Sequence, residues 1–144
     1  MSTTTIALAS DHAGFELKEF LKLKLQNAGH KIIDLGTNSS ASVDYPDYGA
    51  AMGKAIETGK AQRGVLVCGS GIGISIAANR NPAVRAALVQ NSLAAKLARL
   101  HNDANVIALG ARLIGVDMAV DCVDTFLKTE FEGGRHQRRV DMMS

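Results

Sequence analysis

The chain changes hydrophobic rhythm many times along its length. Residues 5–9 form a short apolar run of strand length. Across 14–28, Leu17, Phe20, Leu21 and Leu25 recur at helical spacing, and Gly29 stands where a helix C′ residue belongs. Residues 31–35 predict a second strand. Residues 46–58 predict a second helix, with Ala51, Met52, Ala55 and Ile56 inward and Gly59 as its stop. A third strand follows at 64–68, with Val65-Leu66-Val67 at its centre. A helix of small residues starts near Gly73 and ends before Pro82. Strand four is predicted at 84–89. Helix four spans 92–100, with Leu93, Leu97 and Leu100 on one face. Strand five covers 105–109. Helix five covers 116–131 and carries Met118, Val120, Val123, Phe126 and Leu127.

Strands alternating with helices imply a parallel sheet covered on both faces. Nearly every predicted strand is a continuous apolar run, as burial on two sides requires. The expected fold is therefore α/β, a doubly wound, Rossmann-like five-stranded parallel sheet with helices on both faces. The 144 residues suit a single domain, 1–144, whose last residues 133–144 form a basic tail. Such a chain buries about 68–70% of its extended surface, enough for a core without disulfide staples.

Composition narrows the class. With 47% apolar residues and two prolines, the chain is not a disordered one. No apolar stretch approaches the ~18 residues that span a bilayer. The start, Met1-Ser2-Thr3-Thr4-Thr5, carries no charged n-region, so no signal peptide is expected. Two cysteines, Cys68 and Cys122, do not make a disulfide framework, and a reduced, cytoplasmic setting is expected. The sequon Asn38-Ser39-Ser40 is then accidental. The net charge of +2 lies wholly in the tail, where Arg135, Arg138 and Arg139 face one acid, Asp141. The body is neutral and aromatics are 4%, which argues against a nucleic-acid binder. No membrane partner is expected.

Ligands of doubly wound sheets bind beyond the carboxyl ends of the strands. The predicted strands end in reactive residues: Ser10-Asp11-His12, the loop Asp44-Tyr45-Pro46-Asp47, Cys68-Gly69-Ser70-Gly71-Ile72-Gly73, and Gly110-Ala111-Arg112. The glycine loop presents amides at a helix N-terminus, an anion site. A dinucleotide fingerprint is excluded, because its third glycine would fall at Ile74 and no acid follows about 20 residues on. A P-loop is excluded too, since no Gly-Lys-Ser/Thr follows. A Cys-x5-Arg phosphatase loop would need arginine at Ile74. A nucleophile elbow would need glycine at Leu66 and Ser70, which weakens a cysteine hydrolase.

Cys68 precedes the helix start, a position that favours the thiolate, whereas Cys122 inside helix five reads as a buried, inert thiol. Asp11 and His12 at a strand tip suit a ligand or a local cap. Asp44 or Asp47 suits a cap for helix two, with Pro46 near its start. His101 closes helix four, where a cation suits the helix dipole and catalysis is equally open. His30 follows a C′ glycine and reads as a solvated turn. Arg135 and Arg139 are four apart, so a helical tail would put two guanidinium forks on one face, a geometry suited to phosphate.

Six motifs occur together: Ser-Asp-His-Ala-Gly-Phe at 10–15, Asp-Tyr-Pro at 44–46, Cys-Gly-Ser-Gly-Ile-Gly-Ile-Ser-Ile-Ala-Ala-Asn at 68–79, Arg-x-His-Asn-Asp-x-Asn at 99–105, Gly-Ala-Arg at 110–112 and Gly-Gly-Arg-His-Gln-x-Arg-Val at 133–140. In these the chain resembles the type B ribose-5-phosphate isomerases, a family shared with the galactose-6-phosphate isomerase subunits. The resemblance covers nearly the whole chain. It implies an aldose–ketose isomerase working through an enediolate, without metal or cofactor. It implies Cys68 as the base between C1 and C2, with amides of Gly69, Gly71, Ile72 and Gly73 at the enediolate. Ser70, where many relatives carry threonine, would exchange protons between the two oxygens. His101 would open the sugar ring, helped by Asp11. Asn102 and Tyr45 would touch substrate. His12, Arg112, Arg135 and Arg139 would hold the phosphate, with Arg138 outside the set. It also implies homodimers, often paired into tetramers, with residues of two subunits completing each active site. The alternatives are a hexose-6-phosphate isomerase acting on galactose or allose 6-phosphate, and a non-catalytic sugar-phosphate sensor.

Overall fold

Ile6 and Leu8 alternate with Ala7 and Ala9 in the first strand, and all four are fully buried. Alternate side chains leave opposite faces of a strand, so this one segment feeds two separate cores. The computed structural model describes residues 4–144. The reading that no signal peptide precedes the first strand rests partly on Met1–Thr3, outside the described residues.

The strands are β1 (Thr5–Ser10), β2 (Lys31–Asp34), β3 (Arg63–Cys68), β4 (Ala86–Leu88) and β5 (Val106–Gly110). The helices are α1 (Phe15–Asn27), α2 (Tyr45–Glu57), α3 (Ile72–Asn79), α4 (Ser92–Asn102), α5 (Val116–Lys128) and α6 (Arg135–Asp141). The sheet is parallel throughout, in the order β2-β1-β3-β5-β4. Helices α1, α4 and α5 cover the face of Ile6, Leu8, Val65, Val67, Ile107 and Leu109. Helices α2 and α3 cover the face of Ala7, Ala9, Leu66, Cys68, Val106 and Ala108. The expected doubly wound sheet is present. Each large side chain buried in it, such as Leu21 or Phe126, contributes about 1.5–3 kcal/mol. Among the described residues, no helix is long and apolar enough to cross a membrane.

Several expectations from the pattern need correction. Strand β4 forms a ladder over three residues only, because Val84 and Arg85 are drawn into a turn: Val84 N donates to the Asn81 carbonyl and Arg85 N to Asn105 Oδ1. Strands β2 and β4 are sheet edges and are half-exposed rather than buried on both sides. Helix α5 stops at Lys128, with Thr129 extended. Leu93 and Leu97 are 63% and 39% exposed, because α4 turns Ala95, Ala98 and Arg99 inward instead. Phe20 and Met118 are exposed as well. Asp44 occupies the N-cap of α2, yet neither it nor Asp47 makes a side-chain cap bond there.

The buried charge is paired. Lys18 has no exposed side-chain surface and donates to both oxygens of Asp34 at 2.9 Å and to Glu19 at 2.6 Å. Burial pushes the Asp34 carboxyl up, but hydrogen bonds from Lys18, the Gly36 amide and Lys22 outweigh it and hold Asp34 below the usual carboxylate range. A carboxyl lowered on folding contributes stability that is complete above its unfolded value of about 4 and fades as pH falls through its folded value. Asp34→Asn is therefore expected to cost about 2 kcal/mol at pH 7. Urea melts of variant and native protein should converge as pH drops below about 4. A gap that stays constant with pH would remove Asp34 from the acid response.

Candidate active site

The sheet order places β1 beside β3, where the winding reverses direction. That switch point is where open α/β sheets bind ligands. Asp11 follows β1 and Cys68 ends β3, so both stand there. An open cleft of about 590 Å³ lies over them, lined by Asp11, Tyr45, Cys68, Gly69, Ser70 and Arg112 among others.

Cys68 is 5% exposed. The Gly71 amide donates to its Sγ at 3.1 Å. Gly71 caps α3 with φ of +78°, a left-handed conformation that glycine adopts without strain. A Cβ there would also meet the Leu109 backbone at 2.9 Å. The next amide, of Ile72, donates to Ser70 Oγ at 3.2 Å. The expectation that all the loop amides face an anion is thus corrected: those of Gly71 and Ile72 already serve Cys68 and Ser70. Accepting that bond leaves the Ser70 hydroxyl proton free to donate outward. Gly73 lets the Tyr45 ring come close, since a Cβ would lie 2.6 Å from its edge. Tyr45 stays 42% exposed on the cleft wall.

Asp11 is buried and accepts the Gly14 amide on Oδ1 at 3.1 Å, so it caps the turn into α1 while lining the cleft. The Val43 amide donates to His12 Nδ1 at 3.2 Å. A neutral His12 therefore carries its proton on Nε2. Arg112 follows β5, its amide donating to the Gly69 carbonyl at 3.0 Å, with its guanidinium alongside Gly69.

His101, Asn102, Arg135 and Arg139 are elsewhere. Helix α4 runs back across the sheet, so its last residues lie beside the start of β5, whereas Cys68 pairs with Gly110 at the end of β5. The rise along that strand separates the two edges by about 13 Å. In one chain His101 and Asp11 therefore stand at opposite edges and do not cooperate. The view of one reactive edge was drawn for the strand-end loops and holds for them, and these four residues lie outside it.

The tail is helical, so Arg135 and Arg139 do share an exposed face. Helix α6 packs against α4, and His136 stacks on His101 with ring centroids 4.4 Å apart. His136 is buried; desolvation and the nearby His101, Arg135 and Arg139 hold it below the usual imidazole range. Beneath this corner, the buried Arg99 donates to Asp103 Oδ1 and to the carbonyls of Ala104 and Thr129. These bonds fix the turn that carries His101. His136 and Arg99 were missed as site-building residues, although both lie inside recognised motifs. His30 directly follows the turn at Ala28 and Gly29, its amide donating to the Leu25 carbonyl at 3.1 Å, and is half-buried rather than fully solvated. Cys122 is fully buried, and burial pushes its thiol up to about 11, so it is inert near neutral pH.

The family model for ribose/galactose isomerases matches residues 6–143. The chain belongs to the ribose/galactose isomerase family. It is 43% identical to ribose-5-phosphate isomerase B of Escherichia coli over 139 residues, covering 96% of this chain and 93% of that protein. A ribose 5-phosphate isomerase structure from Thermotoga maritima superposes with a TM-score of 0.96 at 50% identity, covering 99% and 98% of the two chains. Ribose-5-phosphate isomerase B from Mycoplasma genitalium, solved with bound ribulose-5-phosphate, superposes at a TM-score of 0.91 and 41% identity, covering 96% and 93%. The sheet, the helices and the family expected from the motifs all stand, and the chain is an isomerase.

Proposed function

We propose that this protein interconverts ribose 5-phosphate and ribulose 5-phosphate through an enediolate. Cys68, seated at the switch point with an amide donated to its sulfur, carries the reading. A thiolate there takes the C2 proton of the open aldose and returns it to C1. Ser70 moves a proton between the two oxygens. The remaining donors of the glycine loop stabilise the charge that develops on them. His12 Nε2 and Arg112 bind the phosphate from the Cys68 side of the cleft.

The distant residues are supplied by a second copy. Ile72, Ile76, Leu88, Leu93 and Leu97 are all more than one-third exposed on α3, β4 and α4, the elements around the β4 edge of the sheet, and Ile72 and Ile76 line the cleft. Monomers rarely leave such an apolar surface uncovered. A homodimer through this side brings His101, Asn102, Arg135 and Arg139 of one copy to the Cys68 cleft of the other. His101 then opens the sugar ring beside Asp11, and the tail 133–144 of the single domain closes on the phosphate. Dimers of this kind can pair into tetramers. A cytoplasmic setting suits a catalyst that depends on a reduced thiol.

The deciding assay compares ribose 5-phosphate with galactose and allose 6-phosphates and follows exchange of the C2 proton into deuterium by NMR. Turnover should favour the pentose. Faster turnover of a hexose would reassign the substrate, and binding without exchange would leave a sensor. Arg135→Ala and Arg139→Ala should each raise KM about 10- to 100-fold with kcat little changed, as charge-assisted bonds of about 1.5–3 kcal/mol imply. Unchanged KM in both variants would return the tail to solvent.

A further inference from the structure

His101, Glu132 and His136 each have one potential ligand atom within 4.8 Å of the other two. The three come from different segments that the backbone ties together. The Glu132 amide donates to the Leu100 carbonyl at 3.1 Å, which holds the loop against the end of α4. The His136 amide donates to the Gly133 carbonyl at 3.0 Å and sets the first turn of α6.

His136 is the informative member. It is 7% exposed, and among the described residues its Nε2 has no hydrogen-bond partner. Buried imidazole nitrogens are normally satisfied, so this one calls for a ligand. Glu132 Oε1 stands 3.6 Å from it, too far for a hydrogen bond. That separation is close to the ~3.3 Å between ligand atoms around a tetrahedral ion with bonds of about 2.0–2.1 Å.

We propose that His101, Glu132 and His136 form a binding site for a divalent transition-metal ion of the Zn²⁺ class. Two imidazoles and one carboxylate suit Zn²⁺, Co²⁺ or Ni²⁺ and are a poor set for Mg²⁺ or Ca²⁺. The two rings now stack at an interplanar angle of 18°, so their in-plane lone pairs do not meet at one point. His101 is half-exposed and the Glu132 side chain is 49% exposed. These two rotate to the ion while the buried His136 stays in place. Arg135 and Arg139 stand nearby and oppose a cation, which weakens binding relative to a site without them. The ion plays no part in the isomerisation. It occupies the imidazole of His101, so binding inhibits the enzyme; this consequence rests on the ring-opening role proposed above.

The test titrates metal-free protein with ZnCl₂ by calorimetry and with CoCl₂ by visible absorption. One ion per chain is expected, and MgCl₂ at the same concentration should give no signal. Glu132→Gln and His136→Ala should each weaken Zn²⁺ binding more than about tenfold. Glu132→Gln, at a half-exposed position, carries the test even where His136→Ala fails to fold. Cys68→Ala should bind Zn²⁺ like the native chain, which separates this site from the thiol. Equal affinity in native protein and both ligand variants, or loss of binding only in Cys68→Ala, would overturn the site. Zn²⁺ should also inhibit turnover of ribose 5-phosphate, and Glu132→Gln should keep its metal-free rate and resist inhibition. Binding of the expected kind without inhibition would overturn the ring-opening role of His101 while the site stands. No binding in a fully active enzyme would do the reverse.

Discussion

Cys68→Ala is expected to lower kcat for ribose 5-phosphate about 10²- to 10⁴-fold, the range that a positioned general base supplies. The thiol sits at the end of β3, and the Gly71 amide donates to it at 3.1 Å. No other side chain of the glycine loop titrates, since the rest are Gly69, Ser70, Gly71, Ile72 and Gly73. The phosphate donors His12 and Arg112 come from other strand ends, so KM should move by less than about threefold. Loss of kcat at constant KM marks an interaction made in the transition state only. The fold should survive, because the substitution removes one sulfur atom at the rim of the core. Matching urea melts would establish that control. A kcat within tenfold of the native value would move the base to another residue. Cys68→Ser should be nearly as slow as Cys68→Ala, because an alcohol does not replace a thiolate near neutral pH.

Two inactive variants should restore activity when mixed. His101→Ala lacks the ring-opening group, and Cys68→Ala lacks the base. The two residues lie at opposite edges of the sheet in one chain, about 13 Å apart along β5. In a mixed dimer, one of the two clefts combines Cys68 of one copy with His101 of the other, and both are intact. Random pairing makes half of the dimers mixed, each with one working cleft. The mixture should therefore recover about one quarter of native activity once subunits exchange. Each variant alone should remain inactive toward the closed sugar. Recovery that stays at the level of the separate variants would show that each site is built within one chain. The size of this effect makes the experiment decisive, because the separate activities are expected to be at least about 100-fold down.

Much of the candidate site was legible before the fold was known. Asp11, His12, Tyr45, Cys68, Ser70 and Arg112 all follow strands, and a parallel sheet brings strand ends to one edge whatever its order. What the pattern did not place relative to Cys68 was His101. It sits at the end of a helix, and the helix of a βα unit returns its C-terminus to the opposite edge. Reading motifs along the chain does not record that reversal. The tail was legible only as a condition: Arg135 and Arg139 share a face if α6 forms, and its forming depends on packing against α4. The apolar stripe of Leu93 and Leu97 was visible as a stripe, but its direction was not. Helical periodicity shows that residues share a face without saying which face meets the core, and here Ala95 and Ala98 take the inward side.

The sequence by itself determined the alternation of strands and helices, the doubly wound class and the chemistry at the strand ends, because these follow from local periodicity and from the loop residues. Only the tertiary structure decided the strand order, the switch point that sets Asp11 beside Cys68, and the buried, unpartnered His136 stacked on His101. It also decided that His101 and Cys68 lie at opposite edges of the sheet in one chain. Those facts depend on contacts between segments far apart in the chain, whose energies no local pattern encodes.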